Sequence, residues 1–306
     1  MNTVDRWPVL RYEEWKETLA TLHRWTQVVG KIRLMQTPLI NHWWNVALYV
    51  TPRGLSTSPM PYRGGRSFAI EFDFVAHALH IADCDGESAS FALEPMSVAE
   101  FYRRTMAALA TLEIAVKIRT TPSEIADAVP LDRDEEHASY DAAYVSRFWR
   151  AMLQADRLCK SFRASFLGKA SPVHFFWGSF DLAVTRFSGR PAPPHPGGIP
   201  NMADWVTREA YSHEEQSVGF WLGGNGAEAL FYAYVYPEPA GFSQARIRPP
   251  QASWNAQLKE FVLSYDDVRS SADPDRSVLD FFESTYDAGA TLAQWDRSAL
   301  ERAVPR

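Results

Sequence analysis

The chain has 306 residues, of which 46% are hydrophobic and 22% charged, with 31 Lys and Arg against 37 Asp and Glu for a formal charge of −6. That composition belongs to a folded globular protein large enough for one big domain or two ordinary ones. It carries no basic run that could track a phosphate backbone and no apolar run approaching about 18 residues, so neither a nucleic-acid partner nor a membrane-spanning helix is expected.

The opening stretch MNTVDRWPVLRYEEW has no apolar core, so no secretory signal is predicted. Cys84 and Cys159 lack metal-binding spacing and read as free thiols, which makes cytoplasmic localisation the expectation. Trp15, Leu19, Leu22, Val29 and Ile32 recur near helical spacing and predict a helix over Tyr12–Met35, stopped by Pro38. NHWWNVALYVT (41–51) reads as a strand turned by Pro52-Arg53-Gly54. Residues 67–75 alternate apolar and acidic side chains, and 80–82 pairs with 88–93 across Asp85-Gly86 as a hairpin. Ser97, with Glu100 three residues on, caps a helix to about Leu112, followed by a short strand over 115–119. PSEIADAVPLDRDEEH (122–137) is acidic and proline-containing, an extended surface link.

A second helix is expected over 142–167, followed by the aromatic, β-branched strand VHFFWGSFDLAVTRFSGR (173–190). The pleat puts Ser179, Asp181, Ala183 and Thr185 on one face and Phe180, Leu182 and Val184 on the other. PAPPHPGGIP (191–200) excludes regular structure, and Asn201 caps a helix over 202–215. Residues 220–222 and 230–236 read as strands, the latter alternating Phe231, Ala233 and Val235 with Tyr232, Tyr234 and Tyr236.

Two blocks repeat. At a shift of 134, Trp15 falls on Trp149, Pro38 on Pro172, Trp43 on Trp177 and Leu48 on Leu182; at a shift of 180, SVAEFYRRTMAALATL falls on SVLDFFESTYDAGATL with eight of sixteen residues identical. The expected architecture is therefore α+β: a tandem duplication of a helix–antiparallel sheet–helix unit, with two pseudo-twofold-related halves packed as one body. The first repeat covers 1–121, the linker 122–139 and the second repeat 140–306, with a functional insertion at about 194–240.

NHWWNVALYVTPRGL, SPVHFFWGSFDLAVTRFSGR with its HFFWGSFDLAVTRFSGR core, and WVTREAYSHE with its YSHE motif give the chain a resemblance to a family of uncharacterised bacterial proteins, a domain of unknown function. The resemblance spans nearly the whole chain. It implies a bacterial, soluble, single-chain protein and assigns no catalytic role to any residue.

The candidate chemistry gathers in the second repeat. Glu209 and His213 stand four apart on the expected inserted helix and share a face, which suits either an ordinary surface pair or two metal ligands. His174, opposite Ile40 in the first repeat, is the third ligand candidate; its alternative is a core histidine bonded to a backbone carbonyl. Asp181 serves as a general base, a ligand or a buried partner of Arg186, although five residues of regular strand put the two on opposite faces. Asp181, Arg186 and His174 are thus the catalytic candidates, and His42, Trp177, Ser179, Arg190 and Tyr211 the substrate-binding ones. Two functions follow: a small-molecule enzyme using a divalent metal (zinc, iron or manganese) held by His174, Glu209 and His213, or a non-catalytic binder holding a small molecule in an aromatic-lined pocket. A structural partner protein, the third reading, would instead present a large exposed apolar patch.

Overall fold

The structure, a computed structural model, describes residues 5–126 and 128–302. The first part of the chain forms α1 (Tyr12–Gln36), β1 (Tyr49–Val50), β2 (Gly54–Ser56), β3 (Met60–Pro61), β4 (Ser67–Asp73), β5 (Ala78–Asp83), β6 (Ser88–Ala92) and α2 (Val98–Thr111). The rest forms α3 (Ala142–Ala164), β7 (His174–Phe176), β8 (Asp181–Pro191), α4 (Asp204–Ala210), β9 (His213–Trp221), β10 (Leu230–Tyr236), β11 (Ser253–Asn255), β12 (Glu260–Ser264), α5 (Tyr265–Ser270), α6 (Pro274–Leu292) and α7 (Arg297–Leu300). The class is α+β, with seven helices and two antiparallel six-stranded sheets among the described residues.

The first sheet runs β1-β2-β4-β5-β6 with β3 beside β4, and the second runs β11-β12-β10-β9-β8-β7. Leu48 and Phe175 join the two through a reciprocal backbone pair, each amide donating to the other's carbonyl at 2.8 and 2.7 Å. One cluster of buried side chains passes through both regions. Trp25 of α1 stacks on Phe101 of α2 and on Tyr140, while Trp15 of α1 stacks on Phe148 of α3, whose ring continues onto Phe180. Offset aromatic stacking of this kind adds directional attraction to the apolar burial that drives the two regions together.

Several expectations give way to tertiary contacts. The helix over 12–35 forms, and Ser97 Oγ accepts from the Glu100 amide as the N-cap of α2. The strand expected over 41–51 does not: Asn41–Trp43 is a 3-10 turn, with only Tyr49–Val50 extended. His42 and Trp43 both hold positive φ, 56° and 60°, a costly conformation for side chains of that size that persists because both are bonded to the inserted segment. The stretch 173–190 is a hairpin, β7 and β8 joined by a turn with Phe180 at φ 60°, so Ser179 belongs to the turn. The helix expected over 202–215 covers only Asp204–Ala210, because from His213 the backbone pairs with β8 and β10. No strand forms at 115–119. The link is not a surface strap: Leu131 and Asp134 are fully buried, Asp134 Oδ2 lying 3.2 Å from Arg24 Nε, and Ser123 bonds to Gln27 and Lys31.

Candidate functional site

A cavity of about 830 Å³ lies against one face of the second sheet. Alternation builds its floor. Asp181, Ala183, Thr185 and Phe187 of β8, Glu215 and Ser217 of β9, Tyr232 and Tyr234 of β10, His174 and Phe176 of β7 and Glu260 of β12 all line it, while Leu182, Val184, Val218, Phe220, Phe231 and Ala233 turn to the buried core behind. Residues between Ile199 and Tyr211 roof it, and Lys31, Leu34 and Met35 of α1, the turn residues His42–Trp44 and the link residues Ser123 and Glu124 wall it. The site therefore takes one side from each end of the chain.

The roof is fastened by hydrogen bonds from the first half. Trp43 Nε1 donates to the Val206 carbonyl at 2.9 Å, and the Trp43 ring lies 5.0 Å from that of Trp205. His42 Nδ1 donates to the Ala210 carbonyl at 2.7 Å, while its Nε2 accepts from Lys169 Nζ at 2.6 Å. Burial, with the nearby Lys169 charge, lowers the His42 pKa, in keeping with this neutral tautomer. From the link, the Glu124 amide donates to the Pro200 carbonyl at 2.9 Å, and the Ile125 carbonyl accepts from Asn201 Nδ2 at 2.6 Å.

Asp181 is the most firmly held polar group in the floor. Its two oxygens accept from the hydroxyls of Ser179 and Tyr232. Tyr232 reaches it by lying across β9 at Gly219, whose missing side chain leaves room for the phenol ring. Burial raises the Asp181 pKa even though both hydroxyls favour its charged form. Glu124 and Glu260 are each pushed up to about 7, first by burial and then by the charge of Asp181. Lys31, bonded to Ser123 Oγ at 3.0 Å, is lowered to about 8 by burial, with Arg119 adding to the effect. At the other end, Tyr211 and Tyr234 hydroxyls meet at 3.2 Å, and Tyr234 donates to Glu215 at 3.5 Å.

Glu215 is 5% exposed, and burial raises its pKa from 4.5 to about 8, against the smaller opposing effects of Tyr234 and Lys169. Between those values the folded protein holds a proton that the unfolded chain has released, so stability falls as pH rises. Over pH 5.5 to 7.5 this residue alone should cost about 2 kcal/mol. Glu215→Gln removes the proton exchange and should flatten that part of the profile. Urea midpoints measured across this range check it; parallel slopes for wild type and variant would reject the assignment.

The residues singled out in the sequence are divided by the fold. Asp181, His174, Trp177, Ser179, His42 and Tyr211 line the cavity. His174 is fully buried in its floor, held neutral with its pKa lowered to about 3 by burial, and neither ring nitrogen has a partner among the described residues. Arg186 is on the opposite face, bonded to the Phe162 carbonyl and to Ser165 Oγ, so it does not reach the cavity. Arg190 lies at the surface, paired with Glu214 and donating to the Ala293 carbonyl. Glu209 and His213 do not share a helix face, since α4 ends between them; Glu209 accepts from the His42 amide at 3.4 Å, and the His213 ring lies 5.6 Å from that of His42. His174, Glu209 and His213 are not gathered as a ligand set, and no group of three or more His, Cys, Asp or Glu among the described residues is placed to hold a metal.

Glu124, Glu215, Glu260, Tyr232, Tyr234 and Lys31 were not anticipated. The alternation of Tyr232, Tyr234 and Tyr236, and the small polar series Glu215, Ser217, Gly219, carry a readable signal of a polar-faced sheet. Glu124, in an acidic link, carries none.

A family model described as "Family of unknown function (DUF5996)" matches residues 7–302. No curated protein and no solved structure matches the chain. No helix among the described residues is long and apolar enough to cross a membrane.

Proposed function

The chain belongs to a family of unknown function, DUF5996, and we propose that it binds a small organic molecule in the cavity on its second sheet. The single observation that carries this reading is the cavity itself: about 830 Å³, walled mainly by aromatic and aliphatic side chains, with a few converging polar groups. That volume falls within the roughly 300–1,000 Å³ of small-molecule sites. Met35, Trp205 and Leu258 line it yet remain largely exposed, an apolar entrance that a ligand with an apolar body would cover. Five tryptophans, Trp43, Trp44, Trp177, Trp205 and Trp221, border it and supply an intrinsic fluorescent reporter.

The test is binding of Nile red, a neutral apolar dye, to wild type and to Ala183→Trp. Ala183 lies on the floor, so an indole there fills the space. Wild type should bind dye, with tryptophan quenching, and the variant should lose at least about tenfold in affinity, which is 1.4 kcal/mol or more. Equal binding by a folded Ala183→Trp would place the dye elsewhere and remove the support for the cavity.

A second reading, an enzyme that uses these carboxylates for proton transfer, is favoured by Glu124 and Glu260, whose pKa values of about 7 suit acid–base work at neutral pH. It requires turnover of the bound molecule, lost in Glu260→Gln while binding persists. A tandem duplication is supported by the order long helix, antiparallel sheet, closing helix in each half and by the paired sequence blocks. The sheets differ at one end, β6 being the edge beyond β5 whereas β12 lies between β10 and β11. The test is therefore superposition of α1, β1-β2-β4 and α2 on α3, β8-β9-β10 and α6, and failure of these to align together would reject it.

A further inference from the structure

The cavity is unequal in charge. Among the described residues four carboxylates line it, Glu124, Asp181, Glu215 and Glu260, against two side-chain cations, Lys31 and Arg119. Three of the four are electrostatically coupled, since the charge of Asp181 acts on both Glu124 and Glu260. Among the described residues, the carboxylates of Glu124 and Glu260 accept no hydrogen bond from the protein, and Glu124 Oε1 lies against the Cα of Gly178, beside the turn that carries Ser179. Burying like charges together is unfavourable unless something of opposite charge is shared among them.

Aromatic rings surround the same corner. In the sheet register Asp181 stands directly opposite Phe176 on one neighbouring strand and Trp221 on the other, and all three line the cavity. The Tyr232 ring crosses the floor to reach the same carboxylate. Ring faces attract a cation, and the attraction strengthens where water is excluded. A separate observation also points to a ligand: fully buried His174, on the strand of Phe176 and the same face of the sheet, has two ring nitrogens without a partner among the described residues. A neutral imidazole can accept from an ammonium N–H.

We propose that the ligand carries a cationic nitrogen, a protonated amine or quaternary ammonium, seated among Glu124, Asp181 and Glu260 between the rings of Phe176 and Trp221, with an apolar body directed along the aromatic floor. This rests on the cavity being a small-molecule site and adds the chemical class of its occupant. Lys31 and Arg119 do not reverse the balance: Lys31, bonded to Ser123 Oγ with its ammonium 5.4 Å from the Trp177 ring centre, favours the charge of Glu124, but its effect there is smaller than that of burial and of Asp181.

The titratable groups lining the cavity around the seat are Lys31 of α1, Arg119 of the segment after α2, Glu124 of the link, His174 of β7, Asp181 of β8, Tyr211 after α4, Glu215 of β9, Tyr232 and Tyr234 of β10 and Glu260 of β12. As pH rises through about 7, Glu124 and Glu260 gain charge, and Lys31 begins to lose it near 8. Both changes favour a cation, so its affinity should increase between pH 6 and 8.

The experiment is displacement of Nile red by three probes of similar size: phenethylamine, phenethyl alcohol and hydrocinnamate. At pH 8 phenethylamine should displace the dye at least about tenfold better than the alcohol, and hydrocinnamate worst. Glu260→Gln and Glu124→Gln should each shrink the preference for the amine over the alcohol severalfold, read at pH 8 as a ratio within each folded variant. Equal displacement by alcohol and amine, a preference for hydrocinnamate, or an amine preference unchanged in both variants overturns the proposal while the cavity reading stands. Failure of wild type to bind Nile red overturns the cavity reading and the proposal with it.

Discussion

Gly219→Ala is expected to destabilise the protein by about 3 kcal/mol and to disorder the floor of the cavity. A methyl group at this position would fall well inside contact distance of the Leu182 carbonyl oxygen on β8 and of the ring and hydroxyl of Tyr232. The carbonyl belongs to a strand paired on both sides, so it cannot yield without breaking the ladder. The phenol can yield only by withdrawing from Asp181, which leaves a buried carboxylate with Ser179 Oγ as its remaining side-chain donor. Denaturant unfolding should give a lower midpoint for the variant, and Nile red should bind it several times more weakly than wild type. Tyr232→Phe separates the two causes: it keeps the ring in place and removes the donor, so it should cost only about 1–2 kcal/mol. An unchanged midpoint in Gly219→Ala would mean that the tyrosine does not lie over β9 as described.

How much of this was legible in the sequence depended on the range of the interactions involved. Helix α1 announced itself because Trp15, Leu19, Leu22 and Ile32 are spaced by its own periodicity, and the Ser97 cap because its bond closes within three residues. The division of β8 into a polar and an apolar face was also readable, since the pleat alone sends Asp181, Ala183 and Thr185 one way and Leu182, Val184 and Arg186 the other. The turn at His42 and Trp43 was not. Its residues favour a strand by composition, and what overrides them is a pair of bonds to Val206 and Ala210, more than 160 positions away. For the same reason the helix expected to carry both Glu209 and His213 stops short: β8 and β10 claim the backbone from His213 onward. Glu124 shows the limit most plainly. Nothing in PSEIADAV distinguishes it from a solvated link residue, yet the fold inserts it beside Gly178 and within reach of the charge on Asp181.

The charge on Arg186 shows how a residue can look catalytic and be architectural. Arg186 is 1% exposed on the face of β8 away from the cavity. Its guanidinium lies 3.3 Å from the ring centre of Phe162 and 4.3 Å from that of Tyr286, donates to Ser165 Oγ at 2.7 Å and pairs with Glu283 at 3.5 Å, so that it ties β8 to α3 and α6. Burial disfavours its charge, and the carboxylate and rings offset that cost. Arg186→Ala should therefore lose about 4 kcal/mol, chiefly from the cavity it opens between sheet and helices, with a smaller part from half-exposed Glu283, which keeps Ser165 Oγ as a donor. Arg186→Met keeps the volume without the charge. Replacing buried ion pairs by apolar groups is often nearly neutral, so this variant should recover most of the loss, to within about 1–2 kcal/mol of wild type. Nile red affinity should be unchanged in Arg186→Met, because the side chain faces the helices and not the ligand. Guanidinium unfolding curves and dye titrations on both variants decide the matter. A stable Arg186→Met that no longer binds dye would couple this residue to the site through the sheet, and a methionine variant as damaged as the alanine one would mean that the charge itself holds the helices in place.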